Sequence, residues 1–260
     1  MPEGVEIEIY RRQAESVVGR AISEVDAPDA WFLKGDVLAE EVAAAAVDAT
    51  VLAARRRGKL LVLDLSTGHR LGLRFGMTGR LIVDNEAAIV YLEYSSQRND
   101  PAWDRFGLTF HDGTGLVIRD PRRLGGVELD PDENRMGADV FSITPSQLND
   151  RVLVGSVALK ARLLDQGRIA GVGNLIADET LWRAGIDPAR PADSLDRNAK
   201  RRLHRHLRSV VEEFLANGGS HTGRLQESRV RGGRCPRDGA ELDRRTIGGR
   251  TTYSCPDHQR

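Results

Sequence analysis

Apolar residues change their spacing once along this chain, and that change limits the fold more than any other feature. From about residue 21 to residue 129 they come in short runs of strand length, at 59–65, 70–75, 80–83, 89–94, 107–110 and 115–119. Ser66-Thr67-Gly68 and Asp112-Gly113 supply hairpin turns between such runs. Many short antiparallel strands imply a sandwich. Two helices flank it: one at the start, where Ile7, Tyr10, Ala14 and Val17 recur at helical spacing, and one at 36–50. Beyond residue 137 the spacing becomes helical, at 145–153, 159–164, 175–184 and 195–216. A strand block followed by a helix block predicts an α+β multidomain chain. The polar stretch 129–137 (LDPDENRMG) reads as the linker, and the Gly- and Arg-rich tail from Gly218 is too weakly apolar to fold unaided.

Charge is balanced, 38 Lys and Arg against 38 Asp and Glu, so no global polycation argument for nucleic acid applies. Its distribution is uneven. The run RNAKRRLHRHLR (197–208) has six Lys or Arg and no acid, and 224–260 holds nine arginines against five acids. One DNA-facing surface and a solvated helix face both account for the first run. No apolar stretch reaches membrane-spanning length, no signal-peptide pattern is present, and two cysteines do not make a disulfide framework. The expectation is a cytoplasmic protein.

Met1-Pro2-Glu3 is the most chemically informative tripeptide. Loss of Met1 would leave Pro2 as a terminal secondary amine, neutral in sizeable fraction near pH 7 and able to attack an aldehyde carbon. Its Schiff base would be an iminium that carries charge without a proton, and Glu3 offers a carboxyl group for proton transfer. The same residues also suit a plain helix start, with proline in the first turn and acids at the positive end. Further along, Gly171-Val172-Gly173-Asn174 opens a helix. Its N–H groups, with Asn174 and Lys160, could hold a phosphate.

The whole stretch 159–188 resembles the helix–two-turns–helix of the formamidopyrimidine-DNA glycosylase / endonuclease VIII family, which repairs oxidised bases. Ordered matches span nearly the entire chain: Pro2-Glu3 with Glu6, Arg57-Gly58-Lys59, Gly76-Met77, Asp120-Pro121-Arg122-Arg123, and Arg250 five residues before Cys255. The resemblance implies an N-terminal β-sandwich catalytic domain (1–130), a linker (131–137), a helix–two-turns–helix DNA-binding domain (138–225) and a zinc-finger β-hairpin (226–260). It implies a bifunctional glycosylase and abasic-site lyase acting as a monomer on damaged double-stranded DNA, nucleoid-associated, through a Pro2 Schiff base and β/δ-elimination. Glu3 would protonate the opening deoxyribose and Glu6 orient the site. Lys59, Lys160, Asn174 and Arg250 would bind phosphates, with Arg74, Arg123 and Gly173 also on DNA. Met77, Arg122 and Leu124 would fill the gap left by an extruded base. Taken singly, Met77 and Leu124 also suit ordinary core packing.

The chain departs from the family at several places. Where two Cys-x-x-Cys pairs are usual, it has Cys235-x-x-Asp238 and Cys255-x-x-His258, with sixteen residues between the pairs as in the family. Two thiolates, a carboxylate and an imidazole are an acceptable set for one structural zinc, and a metal-free hairpin is the other reading. The Pro-Glu-Gly opening, Arg74 in place of histidine, Leu124 in place of phenylalanine and a short connection at 217–230 turn the substrate away from 8-oxoguanine. Gly-Met and Asp-Pro-Arg-Arg point back to it. Two other expectations stand beside these: an enzyme for bulky or crosslinked lesions, and a DNA-binding protein without catalysis.

Overall fold

A computed structural model describes residues 2–93, 95–96 and 98–260. Met1, whose removal the Pro2 chemistry requires, and Tyr94, the end of the expected strand 89–94, lie outside these residues. The chain divides into two compact units: Pro2 with Glu6–Glu133, and Glu3–Val5 with Asn134–Arg260.

In the first unit, helix α1 (Gly4–Ala14) is followed by β1 (Ile22–Asp26), β2 (Leu33–Lys34), α2 (Ala39–Ala46), β3 (Val51–Arg57), β4 (Leu60–Leu65), β5 (Arg70–Arg74), β6 (Arg80–Val83), β7 (Asp104–Phe110), β8 (Gly115–Arg119) and β9 (Gly126–Leu129). They form two sheets, β1-β7-β8-β6 and β2-β9-β5-β4-β3. Residues two apart on a strand share a face. Leu61 and Leu63, Leu71 and Leu73, Phe106 and Leu108, Leu116 and Ile118 accordingly enter one core together with Ile7, Tyr10, Ala14 and Val17. Each Leu, Ile, Val or Phe among them stabilises the fold by roughly 1.5–3 kcal/mol when fully buried. This is the expected sandwich with its flanking helices.

Three local expectations change. The helix predicted at 36–50 is only Ala39–Ala46, and Asp48 takes a left-handed φ of 63° that a helix cannot carry. No strand forms at 89–93; Ile89 and Leu92 are buried as packing against the core instead. Strand β3 (VLAARRR) lacks the alternation that would reveal it and is made by pairing with β4, Arg55 opposite Val62 and Arg57 opposite Leu60.

The second unit contains β10 (Ala138–Asp139), α3 (Pro145–Gln147), α4 (Leu159–Leu164), β11 (Ile169–Ala170), α5 (Asn174–Ala184), α6 (Arg197–Ala216) and a hairpin of β12 (Asp243–Ile247) and β13 (Arg250–Ser254). The helix predicted at 145–153 is α3 running into a π-helical turn, Leu148–Val152. Every residue of α5 is buried. The basic run 197–208 is the first half of α6, N-capped by Asp196, with Leu203 and Leu207 inward and its arginines largely outward. No helix among the described residues is long and apolar enough to cross a membrane.

Candidate functional site

In the second unit the site is built around the start of α5. Glu3 has no exposed surface, and its carboxylate accepts the backbone N–H groups of Gly173 (3.0 Å), Leu175 (2.8 Å) and Ile176 (3.0 Å). These are donors that the first turn of a helix cannot satisfy internally. The expected phosphate cradle at this turn is therefore already filled by the protein's own acid. Gly173 makes the space: a Cβ there would stand 2.3 Å from Glu3 Cδ. The residue thus lies directly under Glu3. Gly4 N–H adds a bond to Gly171 O (2.8 Å), and the Gln166 amide bridges Gly171 N–H and Val172 O. Pro2, directly before Glu3, is buried.

Lys160 is paired inside the same unit. It is fully buried, with its Nζ 2.6 Å from Asp178 Oδ1 and donating to Thr252 Oγ1 at 2.7 Å. Arg229 reaches the other Asp178 oxygen at 3.1 Å and lies over the Tyr253 ring. Burial pushes the Asp178 carboxyl up and the Lys160 ammonium down, and each partner's charge opposes the shift. The pairing fastens α4 and α5 to the hairpin. Asn174 does likewise, donating Nδ2 to Thr251 O (3.1 Å) while Oδ1 is buried without a hydrogen-bond partner. One residue further, beside the Gly248-Gly249 turn, Arg250 is exposed. Lys160, Gly173, Asn174 and Arg250 are thus brought together, but only Arg250 presents an exposed charge.

Cys235, Asp238, Cys255 and His258 place their ligand atoms within 4.8 Å of one another. Zinc bonds of about 2.0–2.3 Å give tetrahedral edges of roughly 3.3–3.8 Å. Cys255 Sγ lies 3.3 Å from Asp238 Oδ2, and Cys235 Sγ 3.8 Å from His258 Nδ1, as such edges require. The 2.6 Å contact between His258 Nδ1 and Asp238 is shorter than such an edge and would open around an ion. His258 Nε2 faces Trp182 O at 3.2 Å, so it carries the hydrogen and leaves the Nδ1 lone pair toward the cage. Trp182 Nε1 and Arg237 N donate to Cys235 Sγ. Burial opposes ionisation of Asp238, but hydrogen bonds led by His258 hold its carboxyl well below the usual range. The donor set fits a zinc ion.

In the first unit a second group of predicted residues assembles. Gly76, at φ 55°, lies against Leu124 so closely that a Cβ would sit 2.4 Å from its carbonyl carbon. Half-buried Met77 follows, and Leu124 is 49% exposed, too open for a core residue. Fully buried Asp120 organises the loop: its carboxylate accepts from Thr78 Oγ1 and the N–H groups of Arg122 (3.1 Å), Leu124 (2.9 Å) and Gly125 (2.8 Å). Arg122 is exposed at its tip, and Arg123 grips Asp29 with two bonds of 2.6 Å. Arg74 pairs with Glu128, and Lys59 sits at the Gly58-Lys59 turn between β3 and β4. Glu6, 3% exposed, lies one turn before Tyr10, whose phenol is kept neutral by burial and by the Glu6 charge and donates to Gly79 O at 3.2 Å.

Sequence reasoning missed Asp178, Arg229 and Gln166 and gave Asp120 no role. Asp178 alone left a signal, an acid inside the apolar helix NLIADETLW.

Residues 1–127 match the model of the formamidopyrimidine-DNA glycosylase N-terminal domain, and residues 130–225 that of its H2TH domain. The chain is 33% identical to the formamidopyrimidine-DNA glycosylase of Paracoccus denitrificans, over 98% of this chain and 99% of that one. It is 30% identical to that of Chloroflexus aggregans, over 98% of both. Lactococcus lactis Fpg (MutM), in complex with DNA containing FAPY-dG, shares the fold at a TM-score of 0.81 and 24% identity, over 98% of this chain and 99% of that one.

Proposed function

Since this chain belongs to the formamidopyrimidine-DNA glycosylase / endonuclease VIII family, we propose that it is a DNA glycosylase of base excision repair that also nicks the strand. Its partner is double-stranded DNA carrying a damaged base or an abasic site, and it acts as a monomer. One observation carries the reading: the Glu3 carboxylate is anchored by three N–H donors immediately after Pro2.

With Met1 removed, the Pro2 nitrogen attacks C1′ of an extruded nucleotide, and the C1′–base bond breaks with its electron pair leaving on the base. Glu3 takes the proton that the attacking amine sheds and passes it to the ring oxygen as the sugar opens. The C1′ iminium then acidifies C2′; loss of that proton expels the 3′ phosphate, and a second elimination expels the 5′ phosphate. Glu6 and the Lys59 turn belong to the same machinery, while Arg250 holds a backbone phosphate. Met77, Arg122 and Leu124 fill the vacated stack. Cys235, Asp238, Cys255 and His258 hold one zinc, which supplies rigidity under Arg250 and takes no part in the chemistry.

A separate observation bears on the lesion. The short connection at 217–230 is pinned down: Arg224 and Leu225 N–H groups donate to Glu179, and Arg229 pairs with Asp178. A connection spent on these contacts supports a substrate that needs no closing lid, and so bulky lesions over 8-oxoguanine.

Borohydride should trap a covalent complex between the protein lacking Met1 and abasic-site DNA. Pro2→Gly should retain much of the trapping, because a primary amine remains, and one extra N-terminal residue should abolish it. Equal trapping by a protein proven to keep Met1 would defeat the reading. Duplexes each bearing one lesion, including a crosslink, decide the substrate.

A further inference from the structure

Trp31 is 70% exposed, in a chain with only three tryptophans, of which Trp182 is buried and Trp103 half-buried. A single exposed apolar residue means little by itself. The setting of this one is unusual because residues 29–34 are fastened to the 122–126 loop at three successive points. The Asp29 carboxylate receives both arms of Arg123. The Phe32 ring lies against Gly125, where an added Cβ would stand 3.0 Å from it. The Lys34 stem runs along Gly126, where a Cβ would meet it at 2.4 Å. Lys34 Nζ then bonds Trp31 O at 2.7 Å and stands 5.1 Å from the centroid of the indole.

The segment that carries the indole is fixed beside the loop that carries Arg122 and Leu124. The only acid in this stitching, Asp29, is spent on Arg123, so the ammonium of Lys34 is the charge that borders the ring. A flat aromatic face next to a cation matches one ligand well: a nucleobase stacking on the ring while its phosphate meets the ammonium.

We propose that Trp31, with Lys34, is a stacking platform for an unstacked base of the DNA that the 122–124 loop engages. This rests on the reading of that loop as DNA-facing. It adds a contact outside the gap-filling set of Met77, Arg122 and Leu124, and one that suits distorted or single-stranded substrate over regular duplex.

The test measures binding of the full chain to a duplex with a stable abasic analogue and to a single-stranded oligonucleotide, across a salt series. Trp31→Ala should weaken both by about tenfold, with the salt slope unchanged, since stacking releases no counterions. Trp31→Phe should restore most of the affinity, and Lys34→Ala should lower the slope by about one unit. DNA should quench the tryptophan emission of the native chain but not of Trp31→Phe. Affinity within twofold of native in Trp31→Ala, or full quenching in Trp31→Phe, overturns the platform. Failure of borohydride trapping alongside a Trp31-dependent affinity would remove the catalytic reading and leave the platform standing.

Discussion

At the scale of single residues, burial decides what each charge can do. Glu3 takes three helix-start N–H groups, and so turns a turn that could bind an external anion into the seat of an internal one. Lys160 and Arg250 look equivalent in sequence, two cations near one phosphate-type turn. Lys160 is enclosed with Asp178, whereas Arg250 is exposed at the hairpin turn. The two should separate cleanly in a salt titration of DNA affinity. Arg250→Ala should reduce the slope by roughly one unit, as loss of one phosphate contact does. Lys160→Met should leave the slope intact and lower stability by about 3 kcal/mol, because Asp178 loses its closest partner. An altered slope in Lys160→Met, with stability unchanged, would place a phosphate on Lys160 instead.

Between elements, α5 and α6 are joined by a chain of ion pairs. Arg183 bonds Glu179 at 2.7 Å and Glu213 at 2.7 and 3.0 Å, and Arg224 reaches Glu213 at 3.2 Å. The Arg183 bond, with help from Arg224, brings the Glu213 carboxyl from 4.5 down to about 2. A depressed carboxyl stabilises the fold fully above its unfolded pKa and loses that contribution as it is protonated. Native protein should therefore shed this stability as pH falls from about 4.5 to about 2. Glu213→Gln should be less stable at neutral pH, and its difference from native should shrink across the same window. Urea titrations at stepped pH measure this; a difference constant with pH would show that the pairing does not set the acid response. The hairpin tells a similar story in another currency. Its arginine-rich strands bring little apolar surface, and Tyr253 gathers with Leu242, the two cysteines and Trp182 in one small cluster.

For the whole molecule, a net charge of zero rules out general attraction to DNA. Binding must come from placed charges, and Arg250 stands on a hairpin whose small core includes the two cysteines of the candidate zinc site. Chelation should therefore abolish DNA affinity and expose the amides of Asp243–Ile247 and Arg250–Ser254 to exchange, leaving those of β4 and β5 protected. A chelated protein that keeps its hairpin amides protected would make the zinc dispensable. The order of these structures along the chain was legible from the start. The strand block, the helical block, the Pro2-Glu3 start and the paired Cys235-x-x-Asp238 and Cys255-x-x-His258 are local patterns, set by periodicity and by spacing within a few residues. Strand β3 was not legible, because three arginines and two alanines become a strand only when β4 pairs with them. Nor could spacing reveal that Glu3 fills the α5 turn, that Lys160 is sealed against Asp178, or that Asp120 holds the 122–125 loop. Such roles depend on which groups, distant in sequence, are excluded from water together. Residue type sets what a side chain can do; only the tertiary structure decides which partner it meets in place of solvent.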